Sequence, residues 1–308
     1  MAHTPAPAPP DARPRAVAAV LGAAALFGTT GTAQALGPNS ATALGIGSVR
    51  LLVGAIGLAA LATLQRPAAP RAWARHLPAL LVGGLAVATY QLAWFAGLRR
   101  AGVALGTIVG IGSGPVFAGL IHLALERRHL SRAWLGGTLL TVAGAALLAL
   151  RGADGGRADP VGLAAMLGAG LSYAVYAQAA KHAMDRGLDA TGAMAGVFVA
   201  GAVLLSPLLA IEPLGWLASA PGLALALHLG LMTVCLAYWL YGLGLRALPV
   251  PTVVTLTLAE PLTAALLGVL LLGERLGPAG WLGGAAVAAG LAAAGRGEEP
   301  GEPPPAGA

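Results

Sequence analysis

The sequence predicts an all-α integral membrane protein with ten transmembrane helices, arranged as two inverted five-helix repeats. Three observations predict this fold: an apolar composition, ten long apolar runs and an internal duplication. Of the 308 residues, 57% are hydrophobic and 10% are charged, and the mean hydropathy is +0.78. Such a chain has too little polar surface to coat a water-soluble globule, so it needs lipid as its solvent.

Ten apolar runs each approach the roughly 20 residues that a helix needs to cross a bilayer. The predicted spans are 16–36, 41–64, 77–98, 101–125, 133–150, 161–180, 190–211, 221–245, 250–273 and 278–295. They divide into a first repeat, 16–150, and a second repeat, 161–296, joined by a loop at 151–160. The tails, 1–15 and 297–308, are rich in proline and small or polar residues, so we expect them to be disordered.

A duplication with an offset of 146 residues relates the two halves. The offset aligns the LGA sequence at 21–23 with LGA at 167–169, Phe27 with Tyr173, and Pro115 with Pro261. The first apolar run therefore has a partner in the sixth, which favours a retained helix over a cleaved signal peptide. Because each repeat holds five spans, the second repeat enters the membrane from the opposite side. Inverted repeats of this kind are typical of alternating-access transporters.

The basic residues predict how the helices are oriented. With the N-terminus in the cytoplasm, 12 Lys and Arg residues fall in cytoplasmic segments and five fall in outer segments. Short cytoplasmic loops carry such an excess in membrane proteins. We therefore expect a multi-pass protein of the cell membrane with both termini in the cytoplasm. The same loops account for the formal net charge of +6, so no nucleic-acid partner is expected.

Matching motifs lie near the end of each half. The second half has LAEPLTAALL at 258–267, LGERL at 272–276 and WLGG at 281–284, and the first half has GPVFAGL at 114–120, ERR at 126–128 and WLGG at 134–137. These motifs resemble the EamA repeat of the drug/metabolite transporter superfamily, and the likeness extends over residues 16–296. The resemblance implies ten helices in two EamA-type repeats and export or exchange of small metabolites. The first half departs from the pattern, because Glu126 follows Pro115 by 11 residues whereas Glu274 follows Pro261 by 13.

Two charged residues fall well inside the predicted spans, Arg50 in the second and Glu260 in the ninth. Each costs about 2.5–3.5 kcal/mol at a helix centre on insertion scales. A functional interpretation makes Glu260 a site for a proton or a cationic substrate group, and Arg50 an anion contact or a gate. A structural alternative pairs the two with each other or with helix ends to lock the halves together. Their counterparts in the duplication, Gly114 and Gly196, are uncharged, whereas an architectural device would more naturally occur twice.

Prolines occupy matching positions in the two repeats. Pro115 and Pro261 each remove a backbone donor, which predicts a kink or an interruption in the fourth and the ninth helix. Interrupted helices at matching positions indicate a central binding site. We therefore expect the substrate cavity beside both prolines.

Aromatic residues form two pairs, each on one helix face: Tyr90 with Trp94, and Tyr173 with Tyr176. Each pair either lines a substrate cavity or packs between helices. Trp134 and Trp281 are assigned to the aromatic belt at the membrane surface.

Three uncharged polar side chains complete the set of candidates. Gln34 and Gln91 either hold a substrate or bridge neighbouring helices, and His122 either relays protons or bonds to a neighbouring helix. No further His, Cys or carboxylate stands at metal-ligand spacing, so no metal or cofactor is expected.

The predicted function is secondary transport, which is export of small metabolites such as amino acids by alternating access. ATP is not expected to drive it, because the only lysine, Lys181, has no glycine-rich approach of the kind found in phosphate loops. Coupling to protons through Glu260 is a subsidiary hypothesis. The alternative within transport is a nucleotide-sugar carrier or a lipid flippase.

Two other classes of function are weaker interpretations. A membrane-embedded enzyme needs nucleophiles, paired carboxylates or metal ligands clustered at one depth, and the sequence offers one deep carboxylate, so no enzyme is expected. A sensor or membrane adaptor would have long soluble loops, whereas these loops are short. The expected partners are a small-molecule substrate and the lipid bilayer, with protons as a possible coupling ion. The oligomeric state, monomer or homodimer, is left open.

Overall fold

The computed structural model describes residues 12–65, 70–126, 130–149, 159–273, 275 and 277–296. Within these ranges ten helices are long and apolar enough to cross a membrane, which confirms the predicted number. The first 11 residues, residues 297–308 and most of the predicted 151–160 loop lie outside the described ranges. The boundary of the predicted N-terminal tail is corrected, because the first helix begins at Ala12 and residues 12–15 belong to it.

The first half contains one helix for each predicted span: α1 Ala12–Ala35, α2 Ala43–Gln65, α3 Pro70–Ala101, α4 Val103–Glu126 and α5 Arg132–Ala149. α3 begins seven residues before the predicted position 77, because backbone hydrogen bonding continues the helix beyond its most apolar part. A single residue, Gly102, separates α3 from α4. It adopts a φ of 80°, a left-handed conformation that glycine takes without strain, and this permits the abrupt reversal.

In the second half, three of the five spans are composite. The elements are α6 Pro160–Asp185, α7 Ala190–Leu205, a 3-10 helix Ser206–Ala210, a 3-10 helix Gly215–Ala218, α8 Ala220–Leu227, a π-helical segment His228–Leu236, α9 Ala237–Ala247, α10 Val250–Leu256, a 3-10 turn Thr257–Ala259, α11 Glu260–Leu272 and α12 Pro278–Arg296. The seventh span is α7 and the 3-10 helix that follows it directly. The eighth span is α8, the π segment and α9 in continuous succession. The ninth span is α10 and α11, joined by the 3-10 turn.

Helices of the two halves interlock and do not form separate bundles. α3 packs on α6 and α7, and the eighth span packs correspondingly on α1 and α2. α4 packs on α6 in the same way as the ninth span packs on α1, and the last helices of the two repeats, α5 and α12, pack on each other. These reciprocal contacts follow the duplication seen in the sequence. They place the buried core at the junction between the halves.

α5 and α12 approach each other through glycines. A Cβ placed on Gly144 would lie 2.6 Å from the carbonyl oxygen of Gly283, and one placed on Gly290 would lie 2.6 Å from that of Gly137. Each helix presents two glycines seven residues apart, on one face. Because both surfaces are backbone, the two helices pack more closely than side chains would allow.

Apolar side chains cover the outer faces of the bundle. On α3, Leu77, Leu81 and Leu85 are 50%, 51% and 60% exposed and recur along one face. A continuous apolar face of this kind is unfavourable in water and suits contact with lipid chains.

The two tryptophans assigned to the interfacial belt have different environments. Trp281 lies on the surface of α12 and is 58% exposed, as expected, whereas Trp134 on α5 is only 3% exposed. Its ring lies against α4, where a Cβ placed on Gly119 would be 3.0 Å from the Cη2 atom of Trp134. The belt assignment is therefore wrong for Trp134, because a glycine on the neighbouring helix makes room for the ring inside the bundle.

Candidate functional site

A cavity of about 840 Å³ lies at the junction between the two halves. Its wall is formed by residues of α1 to α6 and of the eighth and ninth spans. This volume is within the range of small-molecule binding sites, and a position between helices of both repeats is typical of a transporter.

The cavity reaches one end of the bundle. Its lining includes Gln34 and Leu98 near the ends of α1 and α3, Thr107 near the start of α4, and the exposed Arg275 in the loop after α11. All four positions lie at the same end, because consecutive helices run in opposite directions. The cavity is therefore open at the end that carries the α1–α2 connection.

The opposite end is closed by packed side chains. Leu245, Val253 and Val254 have exposed fractions of 0%. The hydroxyls of Thr138 on α5 and Thr255 on α10 lie 3.1 Å apart, so they also join the two halves there.

Arg50 and Glu260 both line the cavity, each from a different repeat. Their charges interact electrostatically, but the ion pairs found within the described ranges do not include a direct pair between them. The direct pair of the structural alternative is therefore not found among the described residues, while its other form, pairing with a helix end, agrees with the place of Glu260 as the first residue of α11. Both charged groups remain directed at the cavity.

Arg50 is held from behind by Gln91. The guanidinium Nη2 atom donates to Gln91 Oε1 at 3.1 Å, and Gln91 Nε2 donates to the carbonyl oxygen of Gly47 at 3.2 Å. Gln91 is buried and does not contribute to the lining of the 840 Å³ cavity. It bridges α2 and α3 and fixes the direction of the arginine. The Arg50 Nε atom is buried and has no hydrogen-bond partner among the described residues.

Glu260 is positioned by the interruption of the ninth span. α11 begins at Glu260 directly after the 3-10 turn, and Pro261 follows as the next residue. Thr257 in the turn donates to the carbonyl oxygen of Val254 at 2.8 Å, and its hydroxyl lies 2.7 Å from that of Tyr173. The hydroxyl of Thr257 thus forms a hydrogen bond with a backbone carbonyl near the interruption and links the 3-10 turn to α6.

The two prolines differ in their surroundings. Pro261 lines the cavity at the interruption, as its position in the sequence suggests. Pro115 is buried within α4, which continues through it as one helix, and it is not part of the cavity lining. The predicted arrangement with both prolines beside the cavity is therefore corrected for Pro115.

An aromatic cluster forms one wall of the cavity. The rings of Tyr90 and Trp94 stack with centroids 5.7 Å apart, and Tyr173 lies 6.2 Å from Tyr90 and 5.1 Å from Tyr176. All four line the cavity. The structure thus brings the two aromatic pairs into one surface, which combines apolar ring faces with polar hydroxyl groups.

The other polar candidates lie at different places. Gln34 lines the cavity near its open end, and its Nε2 atom lies 3.4 Å from the carbonyl oxygen of Thr30. His122 is buried in α4 outside the cavity lining, with its Nδ1 atom 3.2 Å from a carboxylate oxygen of Glu126 one turn later. The structure therefore does not bring His122 to the cavity.

Several lining residues were missed by sequence reasoning. They include Phe27, Thr30, Thr233, Tyr238 and Arg275. Phe27 and Thr30 align with Tyr173 and Tyr176 at the 146-residue offset, so the duplication already carried a signal for them. Tyr238 is central, since its hydroxyl lies 2.9 Å from that of Tyr176 and its ring lies 5.0 Å from Phe27.

Comparisons with known proteins agree with this architecture. The sequence model described as the EamA-like transporter family matches residues 14–150 and 160–295. Uncharacterized transporter YwfM of Bacillus subtilis (strain 168) is 39% identical over 272 residues, which cover 88% of this chain and 90% of that protein. Threonine/homoserine exporter RhtA of Escherichia coli (strain K12) is 31% identical over 172 residues, covering 55% of this chain and 57% of that protein.

A solved crystal structure shows the same fold. It has a TM-score of 0.77 and 22% sequence identity, and the match covers 92% of this chain and 97% of that chain. The two family matches divide the chain where the structure and the duplication divide it. With ten helices in its described ranges that can span a membrane, a cavity between its halves and a family match in each half, this chain belongs to the EamA-like transporter family.

Proposed function

We propose that this protein is a secondary exporter of small metabolites such as amino acids, working by alternating access in the cell membrane. One observation carries the proposal: the cavity between the two inverted repeats is open at one end and closed at the other. A pathway of this shape exposes a solute to one side of a membrane at a time, and rocking the repeats against each other moves the opening to the other side.

The orientation and direction rest on two supports. The excess of basic residues in the loops favours cytoplasmic termini, and in that orientation the open end faces outward. The relative in Escherichia coli is named as a threonine/homoserine exporter. We therefore take amino acids as the first solutes to test and export as the direction.

A nucleotide-sugar carrier is not favoured by the charges at the site. The acidic Glu260 stands in the same cavity as Arg50, and its carboxylate would repel the phosphates of such a solute.

The test is solute exchange in proteoliposomes that contain the purified chain and no ATP. Vesicles preloaded with one unlabelled amino acid should accumulate the same labelled amino acid, across a panel that includes threonine and homoserine. Protein-free vesicles provide the control. Metabolite profiles of cells with and without the chain should identify the same solute as retained when the chain is absent. If no solute from the panel or from the profiles exchanges, the transport proposal is wrong.

Proton coupling is tested separately. Glu260 is the acidic side chain that lines the described cavity, so we propose that it carries the coupling proton. An imposed proton gradient should then drive accumulation by the native protein and have no effect on Glu260→Gln, measured under conditions in which both still exchange solute. An equal response of the two proteins to the gradient would overturn the proton coupling and leave the transport proposal intact.

A further inference from the structure

We propose that Arg50 and Glu260 are the two ends of a clamp for one zwitterion, with Arg50 binding a carboxylate group and Glu260 binding an ammonium group. This inference rests on the proposed function and deepens it by naming the substrate class. The preferred solutes are free α-amino acids or molecules with the same pair of charges. Amines and carboxylic acids with a single charge bind less tightly.

Arg50 and Glu260 carry opposite charges but do not form an ion pair with each other. Each is costly inside a membrane protein, and such residues normally pair with one another or with backbone groups. Here they face one cavity from two repeats without a direct ion pair. A ligand with a positive and a negative group can satisfy both at once.

The guanidinium group of Arg50 is oriented by a neighbouring side chain. Gln91 accepts from one terminal nitrogen, Nη2, and fixes the guanidinium plane. The Nε atom is buried and has no partner among the described residues, whereas Arg50 as a whole lines the cavity, so contact with a ligand falls to the terminal nitrogens. The two terminal nitrogens of a guanidinium group present N–H groups side by side, in a geometry that matches the two oxygens of a carboxylate.

Glu260 shares the cavity wall with several tyrosine rings. The carboxylate stands at the first residue of α11, in a cavity whose wall also carries the rings of Tyr90, Tyr173 and Tyr238. An ammonium group bound to the carboxylate would also be attracted by nearby ring faces. Tyr238 interacts electrostatically with both Arg50 and Glu260. Arg50, Tyr238 and Glu260 thus line one cavity of about 840 Å³, a volume within the range of small-molecule sites.

The selectivity arises because a ligand with one charge leaves one of the two charged side chains unpaired. A bound amine would leave Arg50 without a counter-ion, and a bound carboxylic acid would leave Glu260 without one. Sites built around a buried polar group discriminate strongly against analogues that lack its partner. The clamp should therefore prefer the zwitterion over either analogue by about tenfold or more.

The experiment measures equilibrium binding to the full-length protein in detergent, with two sets of probes. One set is L-threonine, L-threonine methyl ester and N-acetyl-L-threonine, and the other is the same series built on L-phenylalanine. The ester retains only the positive charge and the acetyl derivative only the negative charge. For at least one set we expect the free amino acid to bind about tenfold more tightly than both derivatives.

Two variants separate a clamp from a structural role. Arg50→Gln should remove the preference for the amino acid over its ester and retain the preference over the acetyl derivative. Glu260→Gln should do the reverse. A structural role would weaken all three probes by the same factor, and that result would overturn the clamp.

Conservative variants of the two charged residues, and a variant outside the cavity lining, serve as controls for misfolding. Arg50→Lys and Glu260→Asp keep the charges and should retain the order of preference, and His122→Asn, in a helix but outside the cavity lining, should bind like the native protein. If neither free amino acid binds at millimolar concentration, or if the derivatives bind equally well, the clamp is wrong. Exchange of a different solute in proteoliposomes would then leave the transport proposal standing.

Discussion

Gln91 shows how an uncharged residue can decide what a buried charge does. Its amide accepts from Arg50 and donates to the carbonyl oxygen of Gly47, so both ends of the amide are occupied. An amide in this position orients the guanidinium without neutralising it. A carboxylate in the same place would pair with the arginine and compete with any anionic ligand.

This difference gives a prediction for a pair of variants at position 91. Gln91→Glu should pair with Arg50 and reduce the preference for a free amino acid over its methyl ester by about tenfold, since a bond to a charged group is worth about 1.5–3 kcal/mol. Gln91→Leu should weaken binding of the amino acid by a smaller factor, because Arg50 keeps its charge and loses only its orientation. The measurement is binding of the free amino acid and of its methyl ester, in whichever of the two series the native protein binds. An unchanged ratio in Gln91→Glu would show that Arg50 does not contact the ligand.

For single residues, the sequence identifies charges inside the membrane spans more reliably than it identifies contacts between side chains. Arg50 and Glu260 are recognisable because lipid makes any charge inside a span conspicuous. Tyr238 was missed and Trp134 was assigned to the wrong environment, because their roles depend on residues far away in the sequence. Tyr238 matters through Tyr176 on α6, and Trp134 is buried because Gly119 leaves room for it.

Among the elements, α4 and the ninth span occupy equivalent places in the two repeats and still differ. Both contain the matching prolines Pro115 and Pro261, yet only the ninth span is interrupted. Thr257 in the interrupted turn bonds to a backbone carbonyl, whereas the residue aligned with it in α4, Ile111, has no hydroxyl. A proline thus marks where a helix can break, and the side chains around it decide whether it does.

The α5–α12 contact provides a stability prediction with a control on the same helix. In Gly144→Ala the new methyl group would meet backbone atoms of α12 within 2.7 Å, which cannot be relieved by rotating a side chain. We expect a loss of about 1–3 kcal/mol, the usual cost of overpacking, and a lower melting temperature in detergent. Gly136→Ala adds the same methyl group where no atom lies within 4 Å, so its melting temperature should not fall. Equal melting of the two variants would contradict the close packing.

For the whole molecule, the sequence predicted the number of helices and the duplication correctly, since both follow from hydropathy and from a constant offset. It did not predict which end of the cavity is closed. Closure depends on side chains of α5, α9 and α10 meeting across the two halves. The hydropathy of single helices contains no information on such contacts.

Accessibility of introduced cysteines tests the open end. The chain has one cysteine, Cys235, so Cys235→Ala provides a background for single-cysteine variants. In intact cells, a membrane-impermeant thiol reagent should label Ser40→Cys at the exposed α1–α2 connection and Thr30→Cys in the cavity, and should not label Thr255→Cys at the closed end. A bound amino acid should protect Thr30→Cys and leave Ser40→Cys reactive.

The result also tests the orientation. Labelling of Ser40→Cys only after the cells are permeabilised would place both termini outside. Labelling of Thr255→Cys in intact cells at the same rate as Thr30→Cys would contradict the closed end.

Gly196 and Gly114 occupy the positions that the duplication relates to Arg50 and Glu260. This difference between the two copies has a consequence for how such a protein can arise. A symmetric pair of identical single-repeat subunits would carry each charge twice, because the positions of Arg50 and Glu260 each occur once in every copy. Joining the copies in one polypeptide lets each half change separately, so that one half contributes the cation and the other the anion. A cavity with a single cation and a single anion thus becomes accessible only after the two copies have diverged in sequence.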